Sequence, residues 1–135
     1  MQVKTLAERL QTMSPQKRWE IARRATQWVE DGGSNAVKGA EALNDIADYE
    51  RALYAGRRKP HGALSWEPHE NQWLIRGYDG DQEVAGIEYT ATHTSSRKKV
   101  FRLTVLGQRH ADMFHHVEDA RAAADEIYRE RTMTR

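Results

Sequence analysis

Apolar residues in the first 55 positions recur at intervals of three and four, the spacing that lines one face of an α-helix. The pattern predicts helices over residues 3–13, 14–30 and 35–55. Ser14-Pro15 suits the start of the second helix, because Ser accepts from free backbone N–H groups and Pro is tolerated in the first turn. Gly32-Gly33 and Gly56 mark the expected ends of the second and third helices.

The charged residues of the second and third helices are expected on polar faces, away from the apolar stripes. On the second helix these residues are Lys17, Arg18, Arg23 and Arg24, and on the third they are Glu41, Asp45, Asp48 and Glu50. Trp19 and Trp28 are nine residues apart and need not face the same way. The small residues of these helices allow close packing on one another, on a partner, or on a second copy in a homodimer.

After residue 62 the period of the apolar residues changes from about 3.6 to about 2, which is typical of β-strands. The pattern predicts strands at 63–67, 72–78, 84–93 and 100–106, followed by a helix at 117–131. The sequence therefore predicts an α+β protein, with N-terminal helices followed by a four-stranded antiparallel sheet packed on a C-terminal helix. The expected division is a helical region at 1–56 and a ββββα domain at 62–135.

The two faces of the second predicted strand compete for the core. Because side chains alternate along a strand, either Trp73 with Ile75 or Leu74 with Tyr78 faces inward, and the pattern leaves both choices open. Either choice leaves aromatic rings on the other face, which would then be an interaction surface. Glu67 and Glu88 are expected on the solvated face of the sheet.

Composition and charge narrow the class of protein. The chain has 135 residues and a net charge of +1, so it has no overall basic field. It has no cysteine, which excludes disulfides, thiolate metal sites and cysteine catalysis. No apolar run approaches the length of a membrane span, and no signal-peptide core is present, so we expect a cytoplasmic protein with no membrane partner.

Recognised catalytic motifs are missing from the sequence, including the phosphate-binding loop, the HExxH motif and the GxSxG motif. The densest group of metal-binding residue types is His110, Asp112, His115 and His116, but its spacing matches no zinc motif. A surface loop before the last helix is the favoured interpretation of this group. We therefore predict a protein that is not an enzyme and has no metal and no cofactor.

Between residues 62 and 128 the sequence has a glycine, then aromatic residues in the predicted strands, then acidic residues and alanines at the predicted last helix. These residues are Gly62, Trp66, Trp73, Ile75, Phe114, Glu118, Asp119, Ala120, Ala123, Ala124 and Tyr128. In this order the segment resembles the ethylene-response-factor type (Apetala-two) DNA-binding domain. It departs from the family in its acidic and neutral first turn, 67–71, and in an extra strand at 83–93. The resemblance implies a sheet face that lies in a DNA groove, with Trp66 and Arg76 closest to the contact positions.

Two functional hypotheses follow. The first is a phage or plasmid accessory protein that binds nucleic acid, DNA rather than RNA, through its sheet and basic turns, with rings stacked on bases and cations near phosphates. The expected contact residues are Arg57, Arg58, Lys59, Trp66, Arg76, Arg97, Lys98, Lys99 and Arg102. The alternative is an inhibitor or adaptor that binds a host protein, such as an anti-defence (anti-restriction or anti-CRISPR) protein.

Overall fold

A computed structural model describes residues 5–70, 72–90 and 100–133. The helices are α1 (Leu6–Leu10), α2 (Pro15–Asp31), α3 (Ala36–Tyr54) and α4 (Val117–Met133), with a 3-10 turn at Ala55–Arg57. The strands are β1 (Lys59–His61), β2 (Leu64–Trp66), β3 (Leu74–Asp79), β4 (Gln82–Thr90), β5 (Val100–Val105) and β6 (Gln108–Phe114). The predicted α+β class, with helices before a sheet and a C-terminal helix, is confirmed.

The chain divides into two compact units. The first, which we call the helical unit, comprises Met1–Gly56 and Glu70–Trp73. The second, the sheet unit, comprises Arg57–His69 and Leu74–Arg135. The short segment at 70–73 thus belongs with the helices, although it follows β2 in the chain.

The helical unit is built on the close packing of α2 and α3. The Ser14 hydroxyl accepts a hydrogen bond from the Lys17 backbone N–H at 3.1 Å, which caps α2 as the sequence predicts. At the crossing with α3, a Cβ atom on Gly39 would lie 2.6 Å from the carbonyl oxygen of Ala25. Only glycine fits there, and because it has no side chain the two helices can pack at this short distance. The core centres on Leu10, Ala22 and Ile46.

The sheet unit contains one antiparallel sheet in which each strand pairs with the next, in the order β1 to β6. Its core face carries Ile75, Ile87 and Leu103 in register on three adjacent strands. Alanines of α4 pack against this face. Trp66 lies over Gly77, where an added Cβ would come within 2.7 Å of the indole ring. The glycine therefore makes room for the largest side chain of the core.

The prediction of four strands is wrong, because the sheet has six. Both additional strands are edge strands, and β1 is exposed along its whole length. A strand that buries few side chains shows no alternation of apolar and polar residues, so the sequence places β1 outside both predicted regions and predicts a loop where β6 lies. The turn before β6 has positive φ at Leu106 (50°) and Gly107 (79°), as a tight hairpin requires.

Within the described ranges, no helix combines the length and the apolar character that a membrane crossing needs. The last residues of the predicted strand at 84–93 lie outside the described residues.

Candidate functional site

Two of the expected contact residues are buried. Trp66 is 2% exposed and belongs to the core of the sheet unit, and Arg76 is 0% exposed. The expectation that these side chains lie on an open sheet face is therefore wrong. Ile75 faces the core of the sheet unit, whereas Trp73 precedes β3 and packs in the core of the helical unit. The alternation rule failed here because Trp73 is outside the strand, and because β3 has a bulge between Gly77 and Tyr78.

Arg76 is held by a carboxylate that is buried with it. Glu67 Oε1 accepts from Arg76 Nη1 at 3.0 Å and from the Arg76 backbone N–H at 3.2 Å. Glu67 Oε2 accepts from the Tyr78 hydroxyl at 2.9 Å. Burial and the charge of Glu67 raise the pKa of Tyr78 to about 12. Both oxygens of this buried carboxylate accept from residues of β3, so this cluster is structural, and the prediction that Glu67 lies on the solvated face is wrong.

Arg58 is part of the same arrangement. Its guanidinium carbon lies 3.6 Å from the centroid of the Tyr78 ring, and Nη1 lies 4.0 Å from Asp81 Oδ1. A cation stacked on an aromatic ring is stabilised there by the negative face of the ring. Of the first basic turn, Arg57 and Lys59 are exposed.

Lys59 and Arg102, the other expected contact residues that the structure describes on strands, do not share one surface. Lys59 lies directly opposite Trp66 and shares its face of the sheet, whereas Arg102 lies opposite Glu88 and points away from the core residue Leu103. β1 and β5 are four strand spacings apart, which is about 19 Å. Arg97, Lys98 and Lys99 lie outside the described residues. Lys59 and Arg102 therefore lie on opposite faces of the sheet, four strand spacings apart.

The sheet face opposite α4 carries an acidic groove. It has a volume of about 530 Å³ and lies around Gly86, with Glu83 and Glu88 among its lining residues. Arg102 and Arg109 border this region on β5 and β6. Carboxylates repel phosphates, so this face offers a weaker anion surface than the sequence predicts.

The combination of cations and aromatic rings that was expected on the sheet occurs on α2. Lys17, Arg23 and Arg24 are exposed on this helix, and the Arg23 guanidinium lies 5.9 Å from the centroid of the Trp19 ring. Glu20 is the single carboxylate between residues 17 and 28, and it forms an ion pair with Lys17 at 3.7 Å. We call this set, Lys17, Trp19, Arg23 and Arg24, the α2 surface.

Arg18 was expected beside these cations, but it is buried, and that prediction is wrong. It donates from Nε to Glu50 Oε2 at 2.9 Å, from Nη1 to the Met13 carbonyl oxygen at 2.9 Å and from Nη2 to the Tyr54 hydroxyl at 3.1 Å. Glu50, expected on the polar face of α3, is likewise buried. Burial alone would lower the pKa of Arg18, but the hydrogen bond and charge of Glu50 raise it overall.

A groove lies beside the α2 surface, with a volume of about 280 Å³. Residues of α1, α2 and α3 line it, and we call it the Trp28 groove: Leu6, Arg9, Lys17, Glu20, Ile21, Arg24, Ala25, Trp28 and Ala42. The apolar residues outnumber the charged ones, and three of the four charged residues are cations. The sequence showed the cations and tryptophans of this helix, but not that α1 and α3 would complete a concave site around them.

Among the described residues, no three His, Asp or Glu side chains lie close enough together to hold a metal ion. His110 and Asp112 belong to β6, and His115 and His116 follow it in exposed positions. The expectation of a loop at this group is therefore wrong for its first two members.

The chain was also compared with known proteins. No family model, no curated protein and no solved structure matched it. The resemblance of residues 62–128 to the Apetala-two domain stays a hypothesis.

Proposed function

We propose that this chain is a non-catalytic nucleic-acid-binding protein and that the α2 surface is its principal contact. The observation that carries this proposal is that Lys17, Arg23 and Arg24 are exposed on one helix, where the Arg23 guanidinium lies 5.9 Å from the centroid of the half-buried Trp19 ring. Lys and Arg neutralise phosphates and release counterions, and aromatic rings stack on bases. Between residues 17 and 28 one carboxylate, Glu20, lies among these cations, whereas two carboxylates line the sheet groove.

The strength of such binding follows from the number of cations. Each neutralised phosphate contributes about −0.9 to the slope of log K against log salt for duplex DNA and about −0.7 for single strands. Three cations therefore predict a slope of about −2 to −3 and a dissociation constant in the non-specific range, roughly 10⁻⁴ to 10⁻⁶ M. A local surface of this kind is compatible with a net charge of only +1.

The test is a fluorescence-anisotropy titration of labelled DNA and RNA, single-stranded and duplex, at two salt concentrations. The variant R23E/R24E removes two cations of the α2 surface, and we expect it to weaken binding at least about tenfold and to reduce the salt slope by about two. The matched control is R102E/R109E, which makes the same change in net charge on the sheet. We expect this control to bind nearly as well as the wild type.

Loss of binding in R102E/R109E but not in R23E/R24E would assign the contact to the sheet, as the sequence predicts. Charge reversal of Arg97, Lys98 and Lys99 completes that comparison, because a loss of binding there and not in R23E/R24E would overturn the α2 assignment. The absence of any wild-type binding at low salt would reject nucleic-acid binding altogether. Circular dichroism of each variant shows whether it has kept its fold.

One observation favours a second function, the binding of a protein partner. β6 is an exposed seven-residue strand at the edge of the sheet, and it carries Met113, which is 44% exposed. Edge strands offer unpaired backbone groups to an extended segment of another protein. A stoichiometric complex with a host protein, together with no affinity for nucleic acid, would support this inhibitor or adaptor function over the first.

A further inference from the structure

We infer that the Trp28 groove accommodates an unpaired nucleobase and that the protein therefore binds single-stranded nucleic acid in preference to duplex. This inference rests on the proposed function and specifies its ligand. The groove adjoins the α2 surface, because Lys17 and Arg24 belong to both. A strand whose phosphates lie along the α2 surface would thus have a concave site within reach of its bases.

The size of the groove suits one base. Its volume of about 280 Å³ lies just below the range of about 300–1,000 Å³ for pockets that hold drug-sized ligands, and a nucleobase is smaller than such a ligand. Trp28 is half-buried and is one of the residues that line the groove. Ile21 and Ala25 add apolar surface beside it. An aromatic ring in an apolar site is a stacking platform for any base.

The charges at the groove favour a nucleotide over other small anions. Arg9, Lys17 and Arg24 can meet a phosphate group, and guanidinium groups bind phosphate oxygens in pairs. Glu20 also lines the groove, and its carboxylate lies 3.7 Å from Lys17 Nζ. The same carboxylate can accept a hydrogen bond from the amino group of a base. The residues that line the Trp28 groove thus match a ligand with an anionic end, an apolar face and an N–H donor.

Duplex nucleic acid cannot use this site without disruption. A paired base lies inside the stack, and its extrusion requires the free energy of unpairing and unstacking. A base in a single strand is already unpaired, so it can enter the groove more easily. Duplex would therefore contact only the α2 surface, whereas a single strand would contact both the α2 surface and the Trp28 groove. The measurable consequence is a single-strand to duplex affinity ratio above one that depends on Trp28.

The experiment measures that ratio with one labelled oligonucleotide of about 12 nucleotides, alone and annealed to its complement, which is within the site size of known single-strand binders. We expect wild-type protein to prefer the single strand by about tenfold. W28L keeps an apolar side chain but removes the aromatic ring, and we expect it to bring the ratio close to one. W28F keeps an aromatic ring and should preserve most of the preference.

The outcomes separate this inference from the proposed function. Equal wild-type affinity for single strand and duplex, with both weakened in R23E/R24E, would overturn the groove assignment and leave the α2 surface in place. A W28L variant that loses affinity for both ligands equally would also overturn it, because Trp28 would then act through the fold. Absence of binding to either ligand would reject both proposals. Thermal melts of W28L and W28F establish that the two variants are folded alike.

Discussion

The helical unit and the sheet unit each bury an arginine, a glutamate and a tyrosine together, but a different residue is central in each. In the helical unit the arginine is central, since Arg18 donates three hydrogen bonds through three nitrogen atoms. In the sheet unit the glutamate is central, since Glu67 accepts three hydrogen bonds. Arg76 Nη2, by contrast, has no hydrogen-bond partner among the described residues.

The difference shows that the stability a buried ion pair contributes depends on how many of its polar atoms have hydrogen-bond partners, and not on its two charges alone. Loss of one member of a buried pair leaves the other charge uncompensated at a cost of about 3–5 kcal/mol. The Arg18 side chain makes three hydrogen bonds, whereas the Arg76 side chain makes one among the described residues. Removal of the arginine should therefore destabilise the helical unit more than the sheet unit.

The largest expected effect tests this difference directly. R18M removes three buried or partly buried hydrogen bonds at once, to Glu50, to the Tyr54 hydroxyl and to the Met13 carbonyl, and we expect it to lower the free energy of unfolding by about 3–5 kcal/mol. R76M leaves Glu67 with the Tyr78 hydroxyl and a backbone N–H, so we expect a loss of about 1–3 kcal/mol. Urea unfolding of both variants measures these losses.

An exposed ion pair provides the control for this comparison. Arg51 lies 3.3 Å from Asp48 on the surface of α3, and R51M should cost less than about 1 kcal/mol. Equal losses in R18M and R76M would contradict the assigned difference between the clusters, and a larger loss in R76M would reverse it.

The two tyrosines provide a smaller effect, which depends on pH. Burial, with the nearby charge of Glu50, raises the pKa of Tyr54 to about 12, and burial with Glu67 does the same for Tyr78. Unfolded tyrosine titrates near about 10, so between pH 10 and 12 the folded protein binds more protons than the unfolded chain. Stability should therefore be fully present below pH 10 and fall as pH rises towards 12, by roughly 2 kcal/mol for each tyrosine.

Phenylalanine variants assign this pH dependence to its residues. Y54F and Y78F should each flatten part of the decline in the free energy of unfolding above pH 10. Absorbance titration of tyrosinate in the folded wild type should show Tyr54 and Tyr78 ionising near pH 12, and each variant should lack one of these two late components. Absence of any component that ionises near pH 12 would show that neither the Tyr54 nor the Tyr78 hydroxyl is held as the structure indicates.

The strongly periodic parts of the fold could be predicted from the sequence. Four elements each bury one face with regularly spaced apolar residues: α2, α3, β5 and α4. Their positions follow from that spacing and from the residues that begin and end helices. The edge strands could not be predicted, because β1 and β6 bury little and carry no alternation. Their pairing depends on the neighbouring strand, which a local pattern does not contain.

The buried clusters escaped prediction for a related reason. A pattern of apolar and polar residues assigns every arginine and glutamate to the surface, yet Arg18 meets a glutamate 32 residues away and Arg76 one nine residues away. Such partners are brought together by helix packing and by strand register. The same limit applied to the candidate site, where the cations of α2 were visible but the groove that α1 and α3 complete was not.

The smallest expected effect concerns Arg58. Its substitution tests whether this cation stabilises the sheet unit or binds nucleic acid. Its guanidinium group stacks on the Tyr78 ring and lies at the limit of ion-pair distance from Asp81. Stacking of this kind is worth about 0.5–1 kcal/mol at partly exposed sites, so R58M should lower the free energy of unfolding by that amount. R57M, which changes the exposed neighbour, should leave stability within about 0.5 kcal/mol of the wild type.

The binding assay completes the comparison of Arg58 with Arg57. Because the α2 surface is the proposed contact, both R57M and R58M should retain nearly wild-type affinity for nucleic acid. A marked loss of affinity in R58M without a loss of stability would mean that Arg58 leaves the Tyr78 ring to meet a phosphate. The cluster around Glu67 would then be a binding element as well as a structural one, and the sheet unit would share the function assigned to α2.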